Sequence, residues 1–276
     1  MLVCVDGTGA SARATYLHDF AHSFVNRVKH QYIRAHPPPE PPPIHHRGPG
    51  DDWTDGVRGL FGGDHHVSPS FVADEVVRLH ARVSEGLGEE RDAIPSWAAG
   101  HPVSTWAPEE TEAFELIQRR RQLFMVGHSR GAAIVINAAR LLISHGITVE
   151  AMFLFDAVAR NPFLDADVIP SNVRHCYHAI RDPAGNSRGS FGNCGTTAEA
   201  GVDFQPRPMR YFFTTHGAMG GTPWGHNPDH MSSTDTFIAE GDPMGTTAIT
   251  PEAELRGMNE VENWMWPHLR RHGVVP

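Results

Sequence analysis

Five strand-like runs punctuate the chain, and each ends in a turn that carries polar or glycine residues. They are Leu2–Val5 before Asp6-Gly7-Thr8-Gly9, Leu123–Val126 before Gly127-His128-Ser129-Arg130-Gly131, Ala151–Phe155 before Asp156, Val173–Ile180 before Arg181-Asp182, and Met209–Thr214 just before His216. The first three are continuous apolar runs, which, bounded by turns, predict strands covered on both faces. Between them the apolar spacing lengthens to that of helices. Tyr16, Leu17, Phe20, Phe24, Val25, Val28 and Tyr32 predict one amphipathic helix, and Phe71, Val72, Val76, Val77 and Leu79 a second over Pro69–Val83. The small-residue run Ala132–Ile136 predicts a helix directly after the second strand. Leu255, Met258, Val261, Trp264, Met265 and Leu269 predict a closing helix over Pro251–His272, packed on the sheet. Strands alternating with helices imply an α/β fold with a mostly parallel central sheet and helices on both faces. The length of 276 residues suits one such domain over 1–276 with inserted loops.

Two stretches interrupt the alternation. Residues 37–64 open with a nearly pure proline run, which predicts an extended connector, and continue as a Gly-rich irregular loop. Residues 86–110 have no clean period and hold Trp97, Trp106 and three prolines. They read as a surface insertion with aromatic anchors, or as a lid that exposes and hides apolar groups. Trp97, Trp106 and Trp224 are candidate walls of a substrate groove on the second reading, and ordinary packing residues on the first.

Charge and cysteine content narrow the function. A net charge of −9 argues against nucleic acid as the main partner and against stable residence on an anionic bilayer. Three cysteines, Cys4, Cys176 and Cys194, have neither the spacing of a zinc site nor an even count for a disulfide framework. No run approaches membrane-spanning length, and the N-terminal segment lacks the basic region and cleavage site of a signal peptide. The expectation is synthesis in the cytoplasm, with any export by a route that does not use that signal.

The chemistry is concentrated at the strand ends. Gly127-His128-Ser129-Arg130-Gly131 between a strand and a helix is the pattern of a sharp turn that lifts a serine clear of the sheet. A serine hydroxyl becomes nucleophilic only when an imidazole removes its proton, and that imidazole needs a carboxylate to fix its tautomer. Serine, acid and histidine follow in that order here, with Ser129 and His216 as nucleophile and base and two aspartates, Asp156 and Asp182, as candidate acids. Spacing does not choose between them. The oxyanion formed on a carbonyl needs preorganised N–H donors. One is expected from Arg130, and the other from Gly7 or Thr8 in the turn after the first strand.

Taken together, Asp6-Gly7-Thr8, the Gly-rich loop from His45 to Gly63, Gly127-His128-Ser129-Arg130-Gly131-Ala132, Phe155-Asp156-Ala157-Val158, His178–Asp182 and Phe212–Gly221 resemble, in the same order, the motifs of the DUF2235 α/β hydrolases. That family includes phospholipase effectors of type VI secretion. The resemblance spans about residues 2–225. It implies an α/β-hydrolase fold with loop or lid insertions, a Ser-Asp-His triad hydrolysing lipid esters, and Asp156 as the acid. It further implies transient membrane contact and a secretion-system or immunity partner.

Two rival readings compete with this one. His226 and His230 with Asp229, and the pairs His45-His46 and His65-His66, invite a metal site, but Asn227-Pro228 disfavours the regular helix that would align the first pair. They read as loop histidines, so neither a metal nor a cofactor is expected. The second rival is a binding protein that kept the fold and lost the chemistry; the filled triad positions speak against it. Among enzymes, an esterase acting on small or polymeric esters stands beside the lipase or phospholipase.

Overall fold

The computed structural model describes residues 1–7, 20–38, 40–48, 67–159, 165–189, 191–207, 209–225, 236–239 and 246–276. Of the sequence expectations, Thr8, the first residues of the helix expected from Tyr16, the pair His65-His66 and the trio His226, Asp229 and His230 lie outside them.

The five predicted strands share one sheet with two beyond the prediction, at Asp203–Gln205 and at Ile44–His46. The latter falls at the start of the expected irregular loop but is held as strand by parallel pairing with the first strand. The sheet contains β1 (Leu2–Val5), β2 (Ile44–His46), β3 (Phe124–His128), β4 (Val149–Phe155), β6 (Val173–Arg181), β8 (Asp203–Gln205) and β9 (Tyr211–Phe212). The order is β2-β1-β3-β4-β6-β8, with β9 also pairing with β6, and every pairing is parallel. A separate two-stranded ribbon joins β5 (Val168–Ile169) to β7 (Thr197–Ala198). The register sets Val5 beside Gly127, His128 beside Phe155 and Phe155 beside Ala179. The turns carrying Asp6, Ser129 and Asp156, and the end of β6 at Arg181, therefore emerge along one edge, where ligands bind in parallel α/β sheets.

Alternation along each strand explains the two helical layers. Val3, Val5, Met125, Met152, Leu154 and Cys176 face one layer, formed by α2 (Pro69–Asp92) and α5 (Ser129–Leu142). Leu2, Cys4, Phe124, Val126, Phe153, Phe155 and Tyr177 face the other, formed by α1 (Phe24–Ala35) and α7 (Pro251–Arg271). Side chains such as Phe24, Phe153 and Phe155 are wholly buried, each worth roughly 1.5–3 kcal/mol in transfer from water. No described helix is long and apolar enough to cross a membrane.

The first layer is closest at the serine turn. A Cβ on Gly131 would lie 2.2 Å from the Asp6 carbonyl oxygen and 2.5 Å from that of Val5, so α5 starts in contact with the β1 backbone. Only glycine permits this approach.

Residues 86–110 carry more regular structure than their lack of a clean period suggests, and their tryptophans pack as aromatic anchors. α2 continues past Val83 to Asp92, and is followed by α3 (Pro95–Ala98) and α4 (Pro108–Arg121). The reason is a second apolar cluster: Leu87, Ile94 and Ile117 are buried together, with Trp97, Trp106 and Phe114 packed against them. The loss of period comes from an apolar face that turns from the sheet towards α4. The closing helix matches expectation, while β9 is shorter than the predicted run.

Two glycine substitutions separate close approach from mere tolerance. Gly131→Ala should cost at least about 1–3 kcal/mol through a forced backbone shift and lower Tm by several degrees. Gly86→Ala, on a helical surface with nothing within 4 Å of the added methyl, should stabilise by about 0.5–1 kcal/mol. Thermal unfolding of both variants checks this, and an unchanged Tm for Gly131→Ala would contradict the packing described.

Candidate active site

Ser129 opens α5 in the left-handed region, with φ 56°, and Asp156 leaves β4 with φ 49°. Such conformations in non-glycine residues cost of order 1–3 kcal/mol and persist only where neighbours enforce them. Here the two turns support each other: the Val158 N–H donates to the Ser129 carbonyl at 3.2 Å, and the Asp156 N–H to that of Ala179 at 2.8 Å. The result is a buried serine and a buried carboxylate on adjacent strand ends.

His216 joins them. It starts α6 (His216–Met219), whose N-cap Thr215 accepts from the Ala218 N–H. Its Nε2 stands 2.8 Å from Ser129 Oγ, and its Nδ1 2.6 Å from Asp156 Oδ2. Its backbone N–H donates to Ser187 Oγ at 2.7 Å. A neutral His216 therefore carries its proton on Nδ1, towards the carboxylate, and offers the Nε2 lone pair to the serine.

Asp156 is held from several sides. Arg181 Nη1 donates to Oδ2 at 2.6 Å, and the Arg181 backbone N–H and Asn193 Nδ2 donate to Oδ1 at 3.2 and 2.8 Å. Burial alone would raise the carboxyl. The hydrogen bond from His216 and the charge of Arg181 outweigh it and hold Asp156 well below the usual carboxylate range. The rest of the Arg181 fork donates to the carbonyls of Ser187, Arg188 and Phe191, tying the following loop beneath the acid.

Two further imidazoles support the turns. Nε2 of buried His128 lies 3.1 Å from the His216 carbonyl, to which it donates, while Nε2 of buried His178 accepts the Ala157 N–H at 3.0 Å. His178 Nδ1 then donates to the Gly195 carbonyl. Burial lowers both to about 4, so both are neutral near pH 7.

The other expected residues fall as follows. Asp182 does not reach His216: its carboxylate accepts the Ala184 N–H at 2.9 Å and caps the 3₁₀ turn Pro183–Gly185. Arg130 lies in the first turn of α5, where backbone N–H groups have no acceptor within the helix. Gly7 sits beside Ser129, since a Cβ placed on it would be 3.1 Å from Ser129 Cβ. Trp97 and Trp106 are not brought to the serine; they pack on each other and on Phe114 in the helical extension. Trp224 is brought near: a Cβ on Gly217, next to His216, would lie 2.1 Å from its indole nitrogen. Among the described residues no group of three or more His, Cys, Asp or Glu could hold a metal. His45 faces Asp6 and His46 faces Glu75. A groove along the β2 edge, between Pro41–His46 and the α2 face, includes none of Ser129, Asp156 and His216.

No family model and no curated protein matches this chain. Among solved structures it is similar to an uncharacterized protein from Pseudomonas aeruginosa, with 13% identity and a TM-score of 0.41 over 100% of this chain and 46% of that one. The chain thus spans about half the length of that structure.

Sequence reasoning passed over His128, His178, Arg181, Ser187 and Asn193. A signal for two of them was present. His178 and Arg181 fall in the stretch Cys176–Arg181 of a central strand, and polar groups in a strand covered on both faces must find partners.

The buried imidazoles set a pH dependence. Both are held near 4 in the fold against 6.5 in the open chain, so between those values the unfolded state binds more protons and stability falls as pH falls. At pH 5 each costs about 2 kcal/mol relative to pH 7. Asp156 acts only lower, where its carboxylate begins to protonate in the unfolded chain. We expect Tm to drop by on the order of 10 °C from pH 7 to 5, and His178→Gln to remove about half of that pH dependence. A flat Tm over this range would contradict the assignment.

Proposed function

We propose that the protein is a serine hydrolase acting on carboxylic esters, built on an α/β-hydrolase fold. The observation that carries this reading is the unbroken line from Ser129 Oγ through His216 to Asp156, at 2.8 and 2.6 Å, at the edge of a parallel sheet. The strand, strained serine and helix, with serine, acid and histidine in that chain order, are features of that fold.

In the reaction, Ser129 Oγ attacks the ester carbonyl carbon as its proton passes to His216 Nε2. The tetrahedral oxyanion is met by the Arg130 N–H and a donor from the turn at Gly7. Collapse breaks the bond to the leaving alcohol, which takes the proton from His216 and departs, leaving an acyl-serine. A water then gives its proton to His216 and attacks the acyl carbon; the acid is released and the proton returns to Ser129. Asp156 stabilises the imidazolium at each stage without itself becoming protonated.

Lipid esters, including phospholipid acyl esters, are the substrate class that the motif resemblance suggests. An apolar wall suits them: the Phe191 ring stands edge-on to His216 with centroids 5.6 Å apart. Contact with a membrane surface and delivery by a secretion system belong to the same proposal.

A fluorophosphonate probe should label Ser129, and Ser129→Ala should abolish both labelling and turnover. Absence of labelling in the wild type, with no ester cleaved, would overturn the reading. Asp156→Asn should lower kcat by about 10⁴, whereas Asp182→Asn, which keeps an equivalent capping oxygen, should cost little stability and leave the rate within a few-fold. A substrate panel from short p-nitrophenyl esters to phospholipid vesicles separates the classes. Cleavage of short esters alone would keep the hydrolase and remove the lipid substrate.

A further inference from the structure

Glu254 is a buried carboxylate that the chemistry above does not use. It lies in the first turn of α7, far from His216 in the chain, and is wholly shielded from solvent. Its carboxylate accepts hydrogen bonds from the segment that carries His216. Thr215 Oγ1, on the residue before the histidine, donates to Oε1. The Trp224 N–H donates to the same oxygen at 2.9 Å, and the Gly225 N–H to Oε2 at 2.7 Å. The Glu254 backbone carbonyl accepts from Thr214 Oγ1 at 2.8 Å. A carboxylate offers only acceptors, and all of these partners offer donors.

The arrangement closes a loop around the histidine. Thr215 gives its proton to Glu254 and uses the same oxygen to accept the Ala218 N–H at 3.1 Å, capping the turn on which His216 stands. At the other end, the two N–H bonds fix Trp224, whose indole fills the space beside Gly217. Both flanks of the four-residue helix are thus bound to one side chain of the C-terminal helix.

We propose that Glu254 is a positioning residue for His216, setting the imidazole in line between Ser129 and Asp156. The proposal rests on the serine hydrolase reading for its kinetic consequence, though not for its structural one. Glu254→Gln keeps the Oε1 contacts and sets an amide N–H against the Gly225 N–H, so the Gly225 bond is lost and that flank is loosened while the side-chain shape is kept. A displacement of the imidazole by a fraction of an ångström is felt in the chemical step more than in binding.

The experiment compares wild type, Glu254→Gln, Thr215→Val and Thr215→Ser in ester turnover, in fluorophosphonate labelling rate and in the downfield proton NMR spectrum. The expected result is a fall in kcat of about 10–100-fold with KM within two-fold for Glu254→Gln. The labelling rate should fall in parallel, and the His216 Nδ1–H resonance should shift or broaden. Thr215→Val should behave alike and combine with Glu254→Gln less than additively, while Thr215→Ser recovers most of the loss. Wild-type kcat in Glu254→Gln, or a loss of activity with an unmoved Nδ1–H resonance, would overturn the proposal. Should the wild type cleave no ester and take no label, the hydrolase reading fails alone. The resonance still reports whether Glu254 positions His216.

Discussion

The pairing of the Asp156 carboxylate with the Arg181 guanidinium is the constraint from which the rest of the site follows. A carboxylate with no solvent exposure cannot stay ionised without opposite charge and hydrogen bonds. Removing one partner of such a pair typically costs 3–5 kcal/mol, because the other charge is left buried and uncompensated. Arg181 supplies the charge from the adjacent strand, and Asn193 and a backbone N–H supply further bonds. The same guanidinium then consumes its remaining donors on the loop that follows β6. That loop contributes Ser187, which holds the His216 backbone. Acid, base and intervening loop are therefore one hydrogen-bonded unit rather than three separately placed residues.

Burial gives this unit its chemistry. The carboxylate can hold the Nδ1–H of His216 only while it is ionised, and Arg181 keeps it so. His128 and His178 show the opposite use of burial: desolvation keeps each neutral, and each then serves as a fixed donor or acceptor for backbone. Histidines within one small volume are thus given different roles by their surroundings.

Much of this was legible in the chain, for a physical reason. The turns after β1, β3 and β4 are visible because strands buried on both faces are continuous apolar runs, and polar or glycine residues appear where the chain leaves the sheet. Ser129 and His216 could be named from that pattern. The acid could not, since Asp156 and Asp182 both follow strands. What separates them is lateral: β4 lies beside β3, and the residue before Asp182 is the one that neutralises Asp156. Sequence spacing carries no information about which strand is the neighbour. The same limit hid the aromatic cluster of residues 86–110, where Trp97 and Trp106 serve α4 rather than the serine. It also hid Glu254, whose partners lie some 30 to 40 residues earlier in the chain.

The sheet order leaves one geometrical problem that the local sequence solves. Serine and acid stand on neighbouring strands, but β9, which leads to His216, pairs with β6 on the far side of β4. The histidine segment must therefore fold back over the acid to reach the serine. A short helix followed by Gly220-Gly221 allows this, because Gly220 lies against the His128 ring, where an added Cβ would stand 2.4 Å from Nδ1. The Gly220 carbonyl accepts the Phe24 N–H at 2.8 Å, and the His216 carbonyl accepts from His128, so the returning chain is bonded to α1 and to the nucleophile's own turn. α1, and α7 through Glu254, thereby hold the middle of the site. Loosening either would be expected to displace His216 before it disturbs Ser129, whose turn is locked by the contact of α5 with β1.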